Sequence, residues 1–194
     1  MKKTIKRTFL GFLILMGAIM VSYFIFKTDT KSYSPEDTVV FESKELQLEV
    51  FYNRPYKKGR EIFGGLVPYN EVWRTGANEA TTFTTNKDIL VDGSPLAAGT
   101  YTLWTIPMED SWKVIFNSEM YPWGITADKL PSRIPEYDVL TVQVPVQKID
   151  QPVEQFTIDF NEQHDFVLMN LVWDQILVSV PMKDAQNVVR VRTS

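Results

Sequence analysis

The side chains that carry most enzymatic chemistry are scarce in this 194-residue chain, which has one histidine, His164, and no cysteine. Without thiols there is no disulfide framework, no thiolate zinc site, no cysteine nucleophile and no lipid-modified cysteine. His164 sits in the polar run Asn161-Glu162-Gln163-His164-Asp165, which reads as a solvated turn, and no Gly-x-Ser-x-Gly elbow accompanies it. A transition-metal site recruits several imidazoles or thiolates, and a calcium loop needs closely spaced aspartates; neither pattern occurs, so no metal and no cofactor is expected. What remains for acid and base work is carboxylates. Glu61, Glu71 and Glu79 fall in one segment, and two carboxylates about 5 to 9 Å apart can cleave glycosides.

That segment, residues 59–80, is long for a connection in a compact domain, where about 4 to 6 residues is usual. Its glycines, aromatics and charges point to function rather than disorder. Trp73-Arg74 followed by Asn78-Glu79 reads as a recognition surface. An indole face packs on sugar rings, a guanidinium offers a planar fork of donors, and an amide beside a carboxylate holds hydroxyl groups. Arg60, Trp73, Arg74, Asn78 and Glu79 are therefore the candidate ligand-binding residues. A structural alternative stands beside this reading: Trp73 plugs the end of a sandwich, Arg74 caps carbonyls, and Glu61 or Glu79 pairs with Arg60 or Arg74. A second aromatic loop, Tyr121-Pro122-Trp123-Gly124, either flanks a cleft with Trp73 or lies as a lid over the core.

The elements that must position these residues are strands. Leu46, Leu48, Val50 and Tyr52 alternate with Gln47, Glu49 and Phe51, the period of a strand with one buried face. Further short strands are expected at 80–85, 89–91, 100–106, 112–116, 139–146, 155–160, 166–173 and 176–182, the last two joined by a hairpin at Asp174-Gln175. Asp92-Gly93 marks a tight reversal. Pro145 and Pro181 fall inside strand patterns and imply edges or strand ends, since proline donates nothing to a ladder. No long helical period follows the first 33 residues. The expectation is an all-β, antiparallel, jelly-roll-like β-sandwich of eight or nine short strands, preceded by one transmembrane helix.

Lys2, Lys3, Lys6 and Arg7 precede an uncharged run of 18 residues from Phe9 to Phe26, about 27 Å as a helix against a hydrocarbon core of roughly 30 Å. The run closes on Tyr23-Phe24-Ile25-Phe26-Lys27 rather than on a small-residue cleavage site, which favours a retained anchor over a cleaved signal. The basic cluster ahead of the run places the amino terminus in the cytoplasm and the remainder outside the inner membrane. The expected divisions are an anchor over 1–27, a polar spacer over 28–37 and a sandwich domain over 38–194. Sixteen of the 20 basic residues and all 24 acidic residues follow the apolar run Phe9 to Phe26, a formal charge of −8 that disfavours nucleic acid as a partner.

The run 59–69 with Gly64-Gly65 and Pro68-Tyr69, the run 72–81 beginning Val72-Trp73-Arg74-Thr75-Gly76, Leu96-Ala97-Ala98-Gly99-Thr100-Tyr101, Pro152-Val153-Glu154-Gln155 and the closing Val178-Ser179-Val180-Pro181 together resemble the signature of domain of unknown function 2911. The resemblance covers about residues 46–182. It implies an exported bacterial protein, typical of the Bacteroidetes, and brings no activity with it. The combined expectation is a membrane-tethered extracytoplasmic binding or assembly module for a polar cell-envelope ligand, glycan or peptide. A carboxylate-dependent hydrolase and a purely structural docking domain are the alternatives.

Overall fold

The structure, a computed structural model, describes residues 2–43 and 45–186. It divides into two compact units, one ending at Tyr33 and one beginning at Ser34. The first is a single helix, α1 (Lys2–Tyr33), whose stretch Phe9–Tyr33 is long and apolar enough to cross a bilayer, a description that a signal sequence also meets. The helix runs through most of residues 28–37, read from the sequence as a spacer, and the first strand begins at Glu36. Pro35 accounts for the break, because the residue before a proline is pushed out of the helical region.

The second unit contains nine strands: β1 (Glu36–Ser43), β2 (Leu46–Asn53), β3 (Thr82–Thr85), β4 (Ile89–Val91), β5 (Ser94–Leu96), β6 (Gly99–Pro107), β7 (Ser111–Asn117), β8 (Asp138–Gln163) and β9 (Phe166–Asp184). All pair antiparallel in the order β1-β2-β3-β6-β7-β8-β9-β4-β5. The expected antiparallel all-β architecture is present. β8 pairs with β7 up to Pro145 and with β9 from Val146, so the sheet turns over along this one strand into two layers. Pro145 therefore sits where the strand changes partner. Pro181 does the same in β9, between the last pair with β8 at Val178 and the first pair with β4 at Met182, and its carbonyl accepts from Asp92 N at 2.8 Å. Neither position asks for a ladder donor, which is how proline is tolerated inside long strands.

Between the layers lies one core. Leu46, Leu48, Val50 and Tyr52 of β2 all point into it, as their alternation predicts, and meet Phe156 and Ile158 of β8 and Val167, Met169, Leu171 and Trp173 of β9. Tyr52 ties the layers together: its hydroxyl donates to Ile158 O at 3.3 Å and accepts from Ile158 N at 2.8 Å, and its ring meets Phe156 edge-on at 5.7 Å. Asp92-Gly93 forms the expected tight turn, with φ of 47° and 79°, between β4 and β5.

Asp174-Gln175 is not a hairpin. The buried positions of β9 change phase there, from odd numbers up to Trp173 to even numbers from Val178, and the strand absorbs the change as a bulge with Asp174 at φ 52°. β8 pulls away from β9 opposite that bulge, and the chain after β2 fills the gap: Lys57 N donates to Glu154 O at 2.6 Å and Phe156 N to Pro55 O at 2.9 Å. Arg54 closes the seam at this end, bonding Asp37 of β1 at 3.0 Å, Phe156 O at 3.2 Å and Thr157 Oγ1 at 2.9 Å.

Candidate functional site

The segment between β2 and β3 is built into the fold rather than laid on it. Ile62, Phe63 and Val67 are core residues, and Trp73 pairs with β6 by Trp73 N to Thr105 O at 2.7 Å and Thr105 N to Trp73 O at 3.0 Å. Strand-like pairing brings strand-like alternation. Trp73 turns inward with Leu103, while Val72 faces the outer side of β6 beside Trp104 and Ile106.

Inside, Trp73 stacks on Trp173 at 5.9 Å and contacts Phe63, Trp112 and Phe156 at 5.0 to 6.2 Å between ring centres. Its indole N–H donates to Gly76 O at 3.0 Å. Its polar edge and much of its ring are thus engaged by the protein, and Trp73 is a half-buried residue packed against the core, where its sequence neighbours suggest a recognition surface. Hydrophobic area explains the placement: a large ring fills the space among Phe63, Trp112, Phe156 and Trp173.

Arg74 is held by a different contact. A β-carbon on Gly124 would lie 2.3 Å from Arg74 Cδ and 2.7 Å from its Cβ, so the arginine stem runs directly against glycine backbone. Its Nε is buried without a hydrogen-bond partner, and burial lowers the guanidinium pKa from its ordinary value. Gly124 N donates to Asn78 O at 3.0 Å, so the two aromatic loops meet here. Tyr121, at 5.5 Å from Trp104, covers the small outer cluster of Ala80, Trp104 and Ile115; the second loop is a lid, and Trp73 lies on the other side of β6.

Asn78 and Glu79 converge on Asn53 at the end of β2: Asn53 Nδ2 donates to Glu79 Oε2 at 3.1 Å, and Asn78 Nδ2 donates to Asn53 Oδ1 at 3.3 Å. Asn78 is buried and takes a φ of 56°. Arg60 stands apart, donating to the carbonyls of Lys57 (3.0 Å) and Tyr56. Among the described residues neither Arg60 nor Arg74 forms an ion pair, so the expected pairing with Glu61 or Glu79 is absent; Arg60 spends its donors on its own turn. Of the five candidate residues, Arg74, Asn78 and Glu79 share a neighbourhood, and Trp73 and Arg60 do not join them.

An open concavity lies at the other end of β2. A groove of about 560 Å³ is lined by Phe41 and Ser43 of β1, Glu45 and Leu46, Lys87, Glu162 and His164 to Val167 around the β8–β9 turn, and Lys183, Asp184 and Gln186. Leu46, on its lining, and Asn53 stand at opposite ends of β2, about 23 Å apart at strand rise. Lys87 bridges Glu45 at 2.5 Å and lies 4.0 Å from Asp184, while Lys183 lies 3.9 Å from Asp165 and 5.4 Å over the Phe166 ring. His164, exposed in a turn as expected and at φ 55°, stands on the rim. Among the described residues no three His, Asp or Glu side chains gather as a metal site. The groove offers ammonium and imidazole donors, carboxylate acceptors and apolar side chains from Phe41, Leu46, Phe166 and Val167: it is equipped to hold a polar ligand by ion pairs and hydrogen bonds. Sequence reading missed it because its walls come from four separated segments, joined only by the topology; the sole signal was the polar turn around His164.

Fold and groove together define an antiparallel β-sandwich domain carrying a polar cleft, following an apolar amino-terminal helix in the sequence. The chain belongs to the family described as "Protein of unknown function (DUF2911)", which matches residues 34–182, nearly the whole second unit. No curated protein and no solved structure matches the chain.

Proposed function

We propose that this protein is a binding module for a polar cell-envelope ligand, glycan or peptide, held at the membrane by α1 with its sandwich outside the cytoplasm. The observation that carries the reading is the groove between β1, the β8–β9 turn and the end of β9. Its volume falls within the range of about 300 to 1,000 Å³ typical of ligand sites, and its lining carries charges of both signs. The basic cluster in the first turns of α1, ahead of its apolar run, and the acidic balance after that run support the orientation. The candidate residues of the β2–β3 segment serve this reading indirectly, by holding the far end of the sandwich closed.

The test is a thermal-shift screen of the full chain in detergent micelles against envelope glycan fragments and peptides, since a ligand bound only by the folded state raises stability by RT ln(1 + [L]/Kd). A hit whose shift disappears in Lys183→Ala or Glu162→Gln, with unliganded melting changed by less than about 2 °C, is the expected result. A hit that survives those changes and disappears in Arg74→Gln moves the site to the outer face of β6. A screen without hits removes the binding reading.

A further inference from the structure

We propose that the ligand is an extended, basic polypeptide, taken up by strand addition along β1 with one end in the groove; this rests on the binding reading above and names its ligand class. The two outer strands of the sheet are treated very differently by the sequence. β5 has three residues and a central Pro95, a blunted edge. β1 has eight, Glu36 to Ser43, with neither proline nor lysine, and among the described residues only β2 pairs with it. Its alternation sends Val39 and Phe41 to the core and leaves Thr38, Val40 and Glu42 outside, with Val40 46% exposed. Apart from Thr38 N, which donates to Asp37 Oδ1 at 2.9 Å, this long edge with a regular pleat and no proline is a template for another strand.

Beside β1 lies the second part of β8, which pairs with β9 on one side. Arg54 and the turn after β2 close the seam between them near Asp37 and Phe156, whereas near Phe41 and Glu162 it opens as the groove. A strand laid on β1 therefore runs into the groove. Charge selects its chemistry: the lining has Glu45, Glu162, Asp165 and Asp184 against Lys87 and Lys183, and Glu42 adds a fifth carboxylate on the edge itself. Lys44, next in sequence after β1, leaves carboxylates in the majority. The same acidity opposes a second copy of this chain along β1, since like charges placed opposite each other across a ladder are destabilising.

The experiment measures fluorescence anisotropy of labelled ten-residue peptides titrated with the full chain in detergent micelles. One peptide alternates lysine with valine, a second alternates glutamate with valine, and two others carry backbone N-methyl groups on alternate residues of the basic peptide, one in each phase. Strand addition predicts binding of the basic peptide, at least tenfold weaker binding of the acidic one, weakening with salt, and at least tenfold loss in one N-methylated phase with retention in the other. Equal binding of both methylated peptides and the parent overturns strand addition and leaves the groove reading standing. Failure of every peptide, with a glycan hit in the thermal screen, overturns the peptide class alone; failure of both experiments overturns both readings. Concentration-dependent dimers seen by sedimentation, lost on adding the basic peptide, would assign the edge to a second copy and overturn the acidic-selectivity argument.

Discussion

At the scale of single residues, neighbours in sequence part company because strand-like pairing sends them to opposite faces. Trp73 and Arg74 are adjacent, yet one completes an aromatic cluster and the other rests on Gly124. Trp73→Ala is expected to cost about 2 to 3 kcal/mol by denaturant unfolding, below the range for emptying a fully buried aromatic site because Trp73 is half-buried. Arg74→Met keeps an unbranched stem over Gly124 and removes a partly desolvated charge, so stability should stay the same or rise by up to about 1 kcal/mol. The opposite outcome for either variant would reverse the assignment of core and surface. Gly124→Ala is a third case: the new methyl meets Cβ, Cγ and Cδ of Arg74 at 2.3 to 3.0 Å, near the root of the side chain where little can yield. Overpacking of this kind costs about 1 to 3 kcal/mol, read as a lower denaturant midpoint at unchanged m-value.

Among elements, what the sequence makes legible is periodicity, and what it hides is how a break in periodicity is resolved. The alternation of β2 and the turn at Asp92-Gly93 can be read directly, because each depends on residues within a few positions of one another. The phase change at Asp174-Gln175 is equally visible, but a hairpin and a bulge both produce it; the partner strand decides, and β8 continues alongside, so β9 bends instead of reversing. The candidate site is hidden for a similar reason. Trp73 looks like a surface aromatic until Trp112 and Trp173, far away in the chain, are brought to it, and the groove has no local signature at all. Cross-layer contacts of this type should dominate cohesion. Tyr52→Phe keeps the ring against Phe156 but strands the N–H and C=O of Ile158, and should cost about 1 to 3 kcal/mol with little change in far-ultraviolet circular dichroism. A neutral result would mean that the two layers are held by apolar packing alone.

Taken as a whole molecule, the sandwich couples its stability to pH through phenols rather than through imidazole or thiol groups. Burial is the leading cause that raises the pKa values of Tyr52, Tyr69, Tyr101 and Tyr121 above the ordinary 10.0, reinforced at Tyr69 by Glu109 and Glu61 and at Tyr101 by Asp88, and opposed at Tyr52 and Tyr121 by bonds to the backbone of Ile158 and Ile134. A phenol that holds its proton more tightly when folded leaves stability intact below the unfolded value of about 10 and loses it as pH climbs through the folded value, because the unfolded chain releases that proton first. The melting temperature of the full chain in micelles should therefore fall more steeply above about pH 10 than an unfolded-state value for every tyrosine would allow. Tyr52, fully buried between the layers, should account for a disproportionate share of that slope. Melting curves from pH 8 to 11.5 for the parent and for Tyr52→Phe check this: the variant should start lower at pH 8 and descend less steeply above pH 10, so that the two curves converge. Parallel curves would show that Tyr52 ionises no differently in the folded and unfolded chains, and with that the claim that its hydroxyl is sealed between the two layers would fail.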